Sequence, residues 1–206
     1  MRTDSVVHIL DDDEAVRDSL SILLQLAGFK VRTWSSPTAF LEGHTERDPG
    51  CLLVDVRMPE IDGITLLARL REQGATIPVV VMTGHGDVPF AVRAMRCGAI
   101  DFLEKPLAKS QLLASIRAAL GHATLLHPEP TSRAAPAGLD RLSARELEVL
   151  RGLVQGMPNK SIAYDLGISP RTVENHRARV MDKMNARSFS ELVRLALAAG
   201  VVPNPE

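Results

Sequence analysis

Six polar side chains in the first half of the sequence could together carry out phosphoryl chemistry. Each stands at or just after the end of a short apolar run: Asp11, Asp12, Asp13, Asp55, Thr83 and Lys105. Gathered carboxylates repel each other by about 1 to 4 kcal/mol per pair at 4 Å, depending on the effective dielectric constant. Such a cluster needs a hard cation, and oxygen ligands favour Mg²⁺, which readily bridges a phosphoryl group.

A carboxylate beside Mg²⁺ can attack phosphorus and form an acyl phosphate. Asp55 is the predicted nucleophile, because it ends the central apolar run, and the acids of the first run are placed to hold the metal. Lys105 would neutralise the added oxygens, and the hydroxyl of Thr83 would donate a hydrogen bond to one of them. Any one of these residues alone could simply end a buried strand and meet solvent, whereas the whole set favours the chemical interpretation.

Residues 1–121 supply the elements that would bring these side chains together. Five apolar runs alternate with segments of helical periodicity, which predicts a parallel sheet covered by helices on both faces. Right-handed crossovers then place the carboxyl end of every strand at one edge of the sheet, where sites form in such folds. The runs are Val6–Leu10, Phe29–Trp34, Cys51–Val54, Ile77–Met82 and Ile100–Leu103.

The rest of the chain differs in composition. Residues 122–138 contain three prolines and few apolar residues, which indicates a linker. Residues 139–206 show helical patterns only. The formal net charge of −1 divides into a mildly acidic first part and a mildly basic last part, which hints at different partners.

A tight turn, Gly167-Ile-Ser-Pro170, joins two of the four helices predicted in this last part. Ser169 as N-cap and Pro170 at the first helical position open the second helix, so the pair reads as a helix-turn-helix. Such a helix presents its N-terminal residues to DNA bases. A small helical interaction domain with solvated charges is the alternative.

The residues expected to contact DNA lie on or beside this second helix. Asn175 suits a bidentate contact to adenine and Glu174 a contact to the cytosine amine. Ser169 and Thr172 stand at the start of the helix and are included in the predicted interface. Four basic residues are better placed for phosphates: Lys160, Arg171, Arg177 and Lys183.

The segments ILDDDEAVR, LLVDVRMPEIDG, VVVMTGHGD and GAIDFLEKP resemble the receiver domains of the CheY-like superfamily. The resemblance covers residues 1–121 and implies a flavodoxin-like, doubly wound (βα)5 fold. It assigns the metal acids to Asp11 and Asp12, the phosphoacceptor to Asp55, the switch hydroxyl to Thr83 and the family's pocket lysine to Lys105. It further implies a metal contact from the backbone carbonyl of Arg57, an aromatic switch at Phe102 and a cis Lys105–Pro106 bond. Asp13 is an extra acid with no assigned role.

The stretch from LSARELEVL to RARVMDKM resembles the four-helix LuxR-type output domain, over residues 139–200. A receiver followed by this output is the arrangement of the NarL/FixJ class of response regulators. The resemblance implies phosphorylation of Asp55 by a sensor histidine kinase, with Mg²⁺, which promotes dimerisation and promoter binding near RNA polymerase. It implies no enzyme activity beyond self-phosphorylation and slow self-dephosphorylation.

Two other functions fit part of this pattern. A haloacid-dehalogenase-type phosphatase also uses an aspartate at a strand end, but it needs a second acid two residues later, where Arg57 stands. A regulator that binds DNA without phosphorylation, or one gated by a ligand, is disfavoured by the intact set of pocket residues. With no apolar run near 18 residues and no signal-peptide pattern, a cytoplasmic protein without a membrane partner is expected.

Overall fold

The computed structural model describes residues 5–44, 50–84, 88–123, 138–186 and 188–201 of the 206-residue chain. These residues form two compact units, one from residues 5–84 and 96–123 and the other from residues 88–95 and 138–201. Most of the predicted linker, residues 124–137, lies outside the described residues. No helix in the described ranges is long and apolar enough to cross a membrane.

The first half of the chain forms a five-stranded sheet in the order β2-β1-β3-β4-β5, with every neighbouring pair parallel. The predicted α/β fold is therefore confirmed. The strands are β1 (Val6–Leu10), β2 (Lys30–Trp34), β3 (Gly50–Asp55), β4 (Val79–Gly84) and β5 (Asp101–Lys105). The helices that alternate with them are α1 (Glu14–Leu26), α2 (Pro37–Gly43), α3 (Gly63–Glu72), α4 (Val88–Arg96) and α5 (Lys109–Ala123).

The bounds of β4 and β5 differ from the prediction. Strand β4 begins at Val79 rather than Ile77, since Pro78 has no N–H to donate to a ladder. It continues through Thr83 and Gly84, which pair with Glu104 and Lys105. Lys105 is consequently the last residue of β5 rather than a residue beyond its end.

The core on one face of the sheet is aliphatic. Val7 and Ile9 of β1 and Leu53 of β3 are fully buried there against Leu24 of α1 and Ile116 of α5. Successive strand residues point to opposite faces, and β3 is buried along its whole length. This burial on both faces is typical of a parallel sheet and explains its uninterrupted apolar sequence.

The second half is helical, as predicted. A 3-10 turn at Leu139–Arg141 precedes α6 (Ala144–Val154), α7 (Asn159–Leu166), α8 (Pro170–Lys183) and α9 (Phe189–Ala198). Ser143 and Glu146 form a capping box at the start of α6. Helix α6 packs against α8 and α9, and α7 packs against α8.

Candidate functional site

The register of the sheet brings three of the predicted pocket residues together. Leu10 pairs with Val54, so the residues that follow them, Asp11 and Asp55, come out side by side at the carboxyl edge. Asp55 is in turn opposite Met82 of β4, and the next strand, β5, ends at Lys105. The predicted meeting of residues far apart in sequence therefore occurs at this edge.

Lys105 lies between the two carboxylates. Its Nζ is 2.8 Å from Oδ2 of Asp11 and 2.7 Å from Oδ1 of Asp55. The remaining carboxylate oxygens accept backbone hydrogen bonds, from the N–H of Asp13 to Asp11 at 3.0 Å and from the N–H of Arg57 to Asp55 at 2.6 Å. Asp11 is 1% exposed and Asp55 is 5% exposed, so both acids are held in fixed orientations within a largely buried pocket.

The charges of this pocket are unbalanced. Burial raises the pKa of Asp55 above its ordinary value and the charge of Asp11 adds to the rise, although Lys105 and the N–H of Arg57 oppose it. Burial alone would lower the pKa of Lys105, but its hydrogen bonds and charge contacts with Asp11 and Asp55 raise it overall. Two carboxylates share one ammonium, so the ionised trio leaves one negative charge uncompensated.

Thr83 and Phe102 lie on the strands beside Asp55. Thr83 is fully buried, one residue past the partner of Asp55 on β4. Its hydroxyl oxygen finds no hydrogen-bond partner among the described residues. Phe102 is half-buried on β5, opposite Val81. The Lys105–Pro106 bond is cis, as the resemblance implied.

The donor atoms of the pocket suit a hard cation. Asp11 and Asp55 present carboxylate oxygens, and the side chain of Asp12 is exposed beside them. Within the described ranges, no three His, Cys, Asp or Glu side chains are arranged to hold a metal ion. The unpartnered hydroxyl of Thr83 and the uncompensated charge fit a pocket that accepts a cation and an anionic oxygen group.

Sequence reasoning missed the residues that shape the loops around the pocket. Asp13 caps helix α1, because its side chain accepts a hydrogen bond from the N–H of Ala15 at 2.9 Å. Arg17 of the same helix donates to the backbone carbonyls of Asp11 and Asp12. The acid immediately before α1 and a basic residue in its first turns were the available signals.

The loop after Asp55 is held by two further contacts that the sequence did not reveal. A Cβ at Gly63 would lie 2.2 Å from the carbonyl oxygen of Asp55, so only glycine allows this close approach. Glu60 adopts a left-handed backbone conformation with φ 71°. Its carboxylate accepts a hydrogen bond of 2.8 Å from the hydroxyl of Thr38 on α2.

The predicted helix-turn-helix is present in α7 and α8. Gly167 ends α7 in the left-handed conformation (φ 63°), and Ser169 caps α8 by accepting a hydrogen bond from the N–H of Thr172 at 3.1 Å. Val173 and Val180 of α8 are fully buried. The helix therefore packs through one face and leaves the opposite face to solvent.

Most of the predicted DNA-contacting side chains reach solvent. Thr172 is half-buried, and two basic residues are engaged within the domain. Nζ of Lys183 is 2.7 Å from Oε2 of Glu146, a carboxylate that is 3% exposed. The guanidinium of Arg177 lies 4.5 Å from the ring centre of Phe189. The exposed members of the set are Lys160, Ser169, Arg171, Glu174 and Asn175.

Comparison with known families matches both halves of the chain. The model described as "Response regulator receiver domain" matches residues 7–117. The model described as "Bacterial regulatory proteins, luxR family" matches residues 140–196. A receiver domain implies a sensor kinase as partner, and a LuxR-type domain implies DNA.

Relatives align over nearly the whole chain. The transcriptional regulatory protein FixJ of Azorhizobium caulinodans is 52% identical over 198 residues, which cover 96% of this chain and 94% of that protein. FixJ of Rhizobium meliloti is 48% identical over 203 residues, covering 98% of this chain and 100% of that protein. The crystal structure of full-length FixJ from B. japonicum aligns with a TM-score of 0.54 and 47% identity over 96% of this chain and 98% of that chain. The chain therefore belongs to the two-component response regulators, in the FixJ-like group of transcription regulators that join a receiver domain to a LuxR-type DNA-binding domain.

Proposed function

We propose that Asp55 takes up a phosphoryl group from a phosphohistidine of a sensor histidine kinase, and that the phosphorylated chain dimerises and binds promoter DNA. The observation that carries the proposal is the Lys105 ammonium, which lies 2.7 to 2.8 Å from both Asp55 and Asp11. Such a cation, beside a carboxylate at a strand end, is placed to neutralise incoming phosphoryl oxygens.

The transfer uses groups that the pocket already holds. A carboxylate oxygen of Asp55 attacks phosphorus, an O–P bond forms, and the N–P bond of the phosphohistidine breaks. The departing imidazole nitrogen takes up a proton from water. Lys105 then pairs with the phosphoryl oxygens instead of the free carboxylate, and the buried hydroxyl of Thr83 donates to one of them.

Mg²⁺ is the cation proposed for this pocket. Asp11, Asp12, Asp55 and the backbone carbonyl of Arg57 are the groups that would hold it, and oxygen donors of this kind are those that Mg²⁺ prefers. When bound, it would offset the negative charge that develops between the carboxylates and the phosphoryl group. Glu60 and Gly63 help to fix the loop after Asp55. In that loop the N–H of Arg57 donates to Oδ2 of Asp55 at 2.6 Å, which supports a place for Arg57 at the pocket.

The switch that follows is proposed to run from Thr83 to Phe102. Phosphoryl oxygens would draw the Thr83 hydroxyl inward, and the half-buried ring of Phe102 would rotate into the space that opens. Moving a two-state element from 1:99 to 99:1 needs about 5.5 kcal/mol, which a few charge-assisted hydrogen bonds can supply. The remodelled face of β5 and α5 is the proposed dimer contact.

Promoter recognition is proposed for the exposed face of α8. Glu174 and Asn175 would contact base edges, whereas Arg171 and Lys160 would contact phosphates. Ser169 and Thr172 would orient the start of the helix through their mutual hydrogen bonds. Arg177 and Lys183 already make contacts within the domain, so a DNA contact from either would compete with Phe189 or Glu146.

The remaining parts of the proposal concern organisation. We place the receiver at 1–121, the linker at 122–138 and the output domain at 139–206. The family matches at 7–117 and 140–196 fall within the two proposed domains. A cytoplasmic location and a contact with RNA polymerase at the promoter complete the proposal.

Acetyl phosphate with Mg²⁺ provides the test of the phosphoacceptor. Intact-mass measurement should show one added phosphoryl group on the wild type and none on Asp55→Asn. Asp18→Asn, which changes an exposed acid of α1, is the matched control and should be labelled normally. Persistent labelling of Asp55→Asn would place the phosphoryl group on another residue.

The DNA step is tested separately. A fragment selected in vitro for binding to the beryllofluoride-treated chain should be bound more tightly with beryllofluoride and Mg²⁺ than without them. Sedimentation should show a dimer only in the treated sample. Equal affinity with and without treatment would mean that phosphorylation does not control the output domain.

A further inference from the structure

One side chain outside the pocket is tied to the backbone that carries two of its acids. Nη1 of Arg17 lies 2.8 Å from the carbonyl oxygen of Asp11 and 2.9 Å from that of Asp12. Arg17 belongs to the first turns of α1, and its own N–H donates to the carbonyl of Asp13 at 3.1 Å. Arg17 therefore donates hydrogen bonds to three successive carbonyls, and a single guanidinium nitrogen makes two of them.

These contacts fix the part of the chain from which the acids project. With both carbonyls held, the peptide planes after Asp11 and Asp12 cannot turn freely. The N–H of Asp13 then stays within 3.0 Å of Oδ1 of Asp11, which leaves Oδ2 for Lys105. The orientation of the Asp11 carboxylate thus depends on a backbone arrangement that Arg17 holds.

We infer that Arg17 is a positioning residue for the acid loop and sets the affinity of the pocket for Mg²⁺. This inference rests on the proposed function, because it assumes that the loop binds a divalent cation. Groups that orient metal ligands from behind typically change metal affinity by about 10- to 100-fold when they are removed. A comparable loss is expected here.

The charge of Arg17 acts in the opposite direction and allows the two effects to be separated. A guanidinium near the pocket repels a divalent cation, so if charge were its only influence, Arg17→Gln would bind Mg²⁺ more tightly. Arg17→Lys would then behave like the wild type, since the charge is kept. If positioning dominates, both variants bind Mg²⁺ more weakly, because the shorter side chain of lysine does not reach both carbonyls.

Arg71 provides a matched control within the same half of the chain. Its guanidinium also donates to backbone carbonyls, those of Ala75 at 2.8 Å and Ile77 at 3.0 Å. These residues precede β4, at the opposite edge of the sheet from Asp55. Arg71→Gln should lower stability without changing the affinity for Mg²⁺.

The experiment is calorimetric titration of full-length wild type, Arg17→Gln, Arg17→Lys and Arg71→Gln with MgCl₂. Urea unfolding of each variant confirms that it is folded under the titration conditions. We expect both Arg17 variants to bind Mg²⁺ at least about tenfold more weakly, and Arg71→Gln to match the wild type. In acetyl phosphate labelling, raising the Mg²⁺ concentration should restore the rate of the Arg17 variants, which a general loss of folding would not permit.

The outcomes separate this inference from the function on which it rests. Wild-type affinity, or tighter binding, in Arg17→Gln overturns the positioning role. A labelling deficit that saturating Mg²⁺ does not relieve overturns it as well. If the wild type itself neither binds Mg²⁺ nor accepts label, the proposed function fails instead.

Discussion

Gly63 is a position where the structure predicts a large effect from a small change. Alanine at this position would place a Cβ 2.2 Å from the carbonyl oxygen of Asp55 and 3.1 Å from Cγ2 of Val54. Both neighbours belong to the buried strand β3. The strand is covered on both faces, so the start of α3 and the loop before it must give way.

The size of the effect follows from the geometry. Non-bonded heavy atoms settle at about 3.5 Å, so the contact between the Cβ and the Asp55 oxygen must open by roughly 1.3 Å. Overpacking of this kind usually costs about 1 to 3 kcal/mol of unfolding free energy. The same movement would carry the loop holding Arg57 away from Asp55. A displacement near 1 Å can slow a positioned reaction by about 100-fold.

Two assays measure these effects. Urea unfolding gives the change in stability, and the initial rate of acetyl phosphate labelling with saturating Mg²⁺ gives the change in reactivity of the folded protein. Gly121→Ala is the control, because a Cβ there meets nothing within 4 Å and alanine favours the α5 helix. A Gly63→Ala protein that unfolds and labels like the wild type would show that the close approach to Asp55 is not needed.

Three further predictions concern other parts of the chain. Burial raises the pKa of the Cys51 thiol to about 12. Iodoacetamide at pH 8 should therefore modify the half-exposed Cys97 and leave Cys51 unmodified until the protein unfolds. Modification of Cys51 in the folded protein would contradict its burial. Hydrogen bonds and the ion pair with Lys183 lower the pKa of Glu146 from 4.5 to about 2. The stabilising effect of the Glu146 carboxylate is therefore present above pH 4.5 and is lost as the pH falls towards 2. The stability of Glu146→Gln should fall less steeply over that range, and a pH profile like that of the wild type would contradict the stabilising role of this carboxylate. Asn175→Ala should cost about 1 to 3 kcal/mol of discrimination at one base pair, whereas Arg171→Gln should weaken binding to all sequences and reduce the salt dependence; the reverse pattern would exchange their roles.

The pocket could be predicted from sequence because parallel strands leave little freedom at their ends. Once β1, β3 and β5 are recognised as strands of one parallel sheet, the residues that end or follow them must share an edge. Asp11, Asp55 and Lys105 are therefore placed by topology alone. Once these residues are placed, their charges alone predict the contacts among their side chains.

The partners of the basic residues on α8 could not be predicted in the same way. Lys183 and Arg177 occupy helix positions that look solvated when α8 is considered alone. Lys183 is paired with Glu146, which follows Ser143 by three residues in a capping box. The sequence shows that box, but the packing of α6 against α8 decides that its carboxylate also meets a lysine 37 residues later. The pattern of apolar residues along one helix carries no information about a contact with another helix.

The loops around Asp55 were harder to predict than Asp55 itself, because their conformation depends on contacts with other elements. Glutamate disfavours a left-handed backbone conformation, so the sequence at Glu60 does not predict one. It persists because contacts on either side compensate: Thr38 donates a hydrogen bond to its side chain, and Gly63 packs against the strand behind it. Departures from local preference tend to collect at functional sites, and here the departure lies in the loop that holds Arg57 beside the proposed phosphoacceptor. Replacing Glu60 by a residue that prefers the left-handed region would relieve the backbone strain but remove the hydrogen bond to α2. The strained backbone at Glu60 is therefore compensated by a contact that fixes the position of the loop.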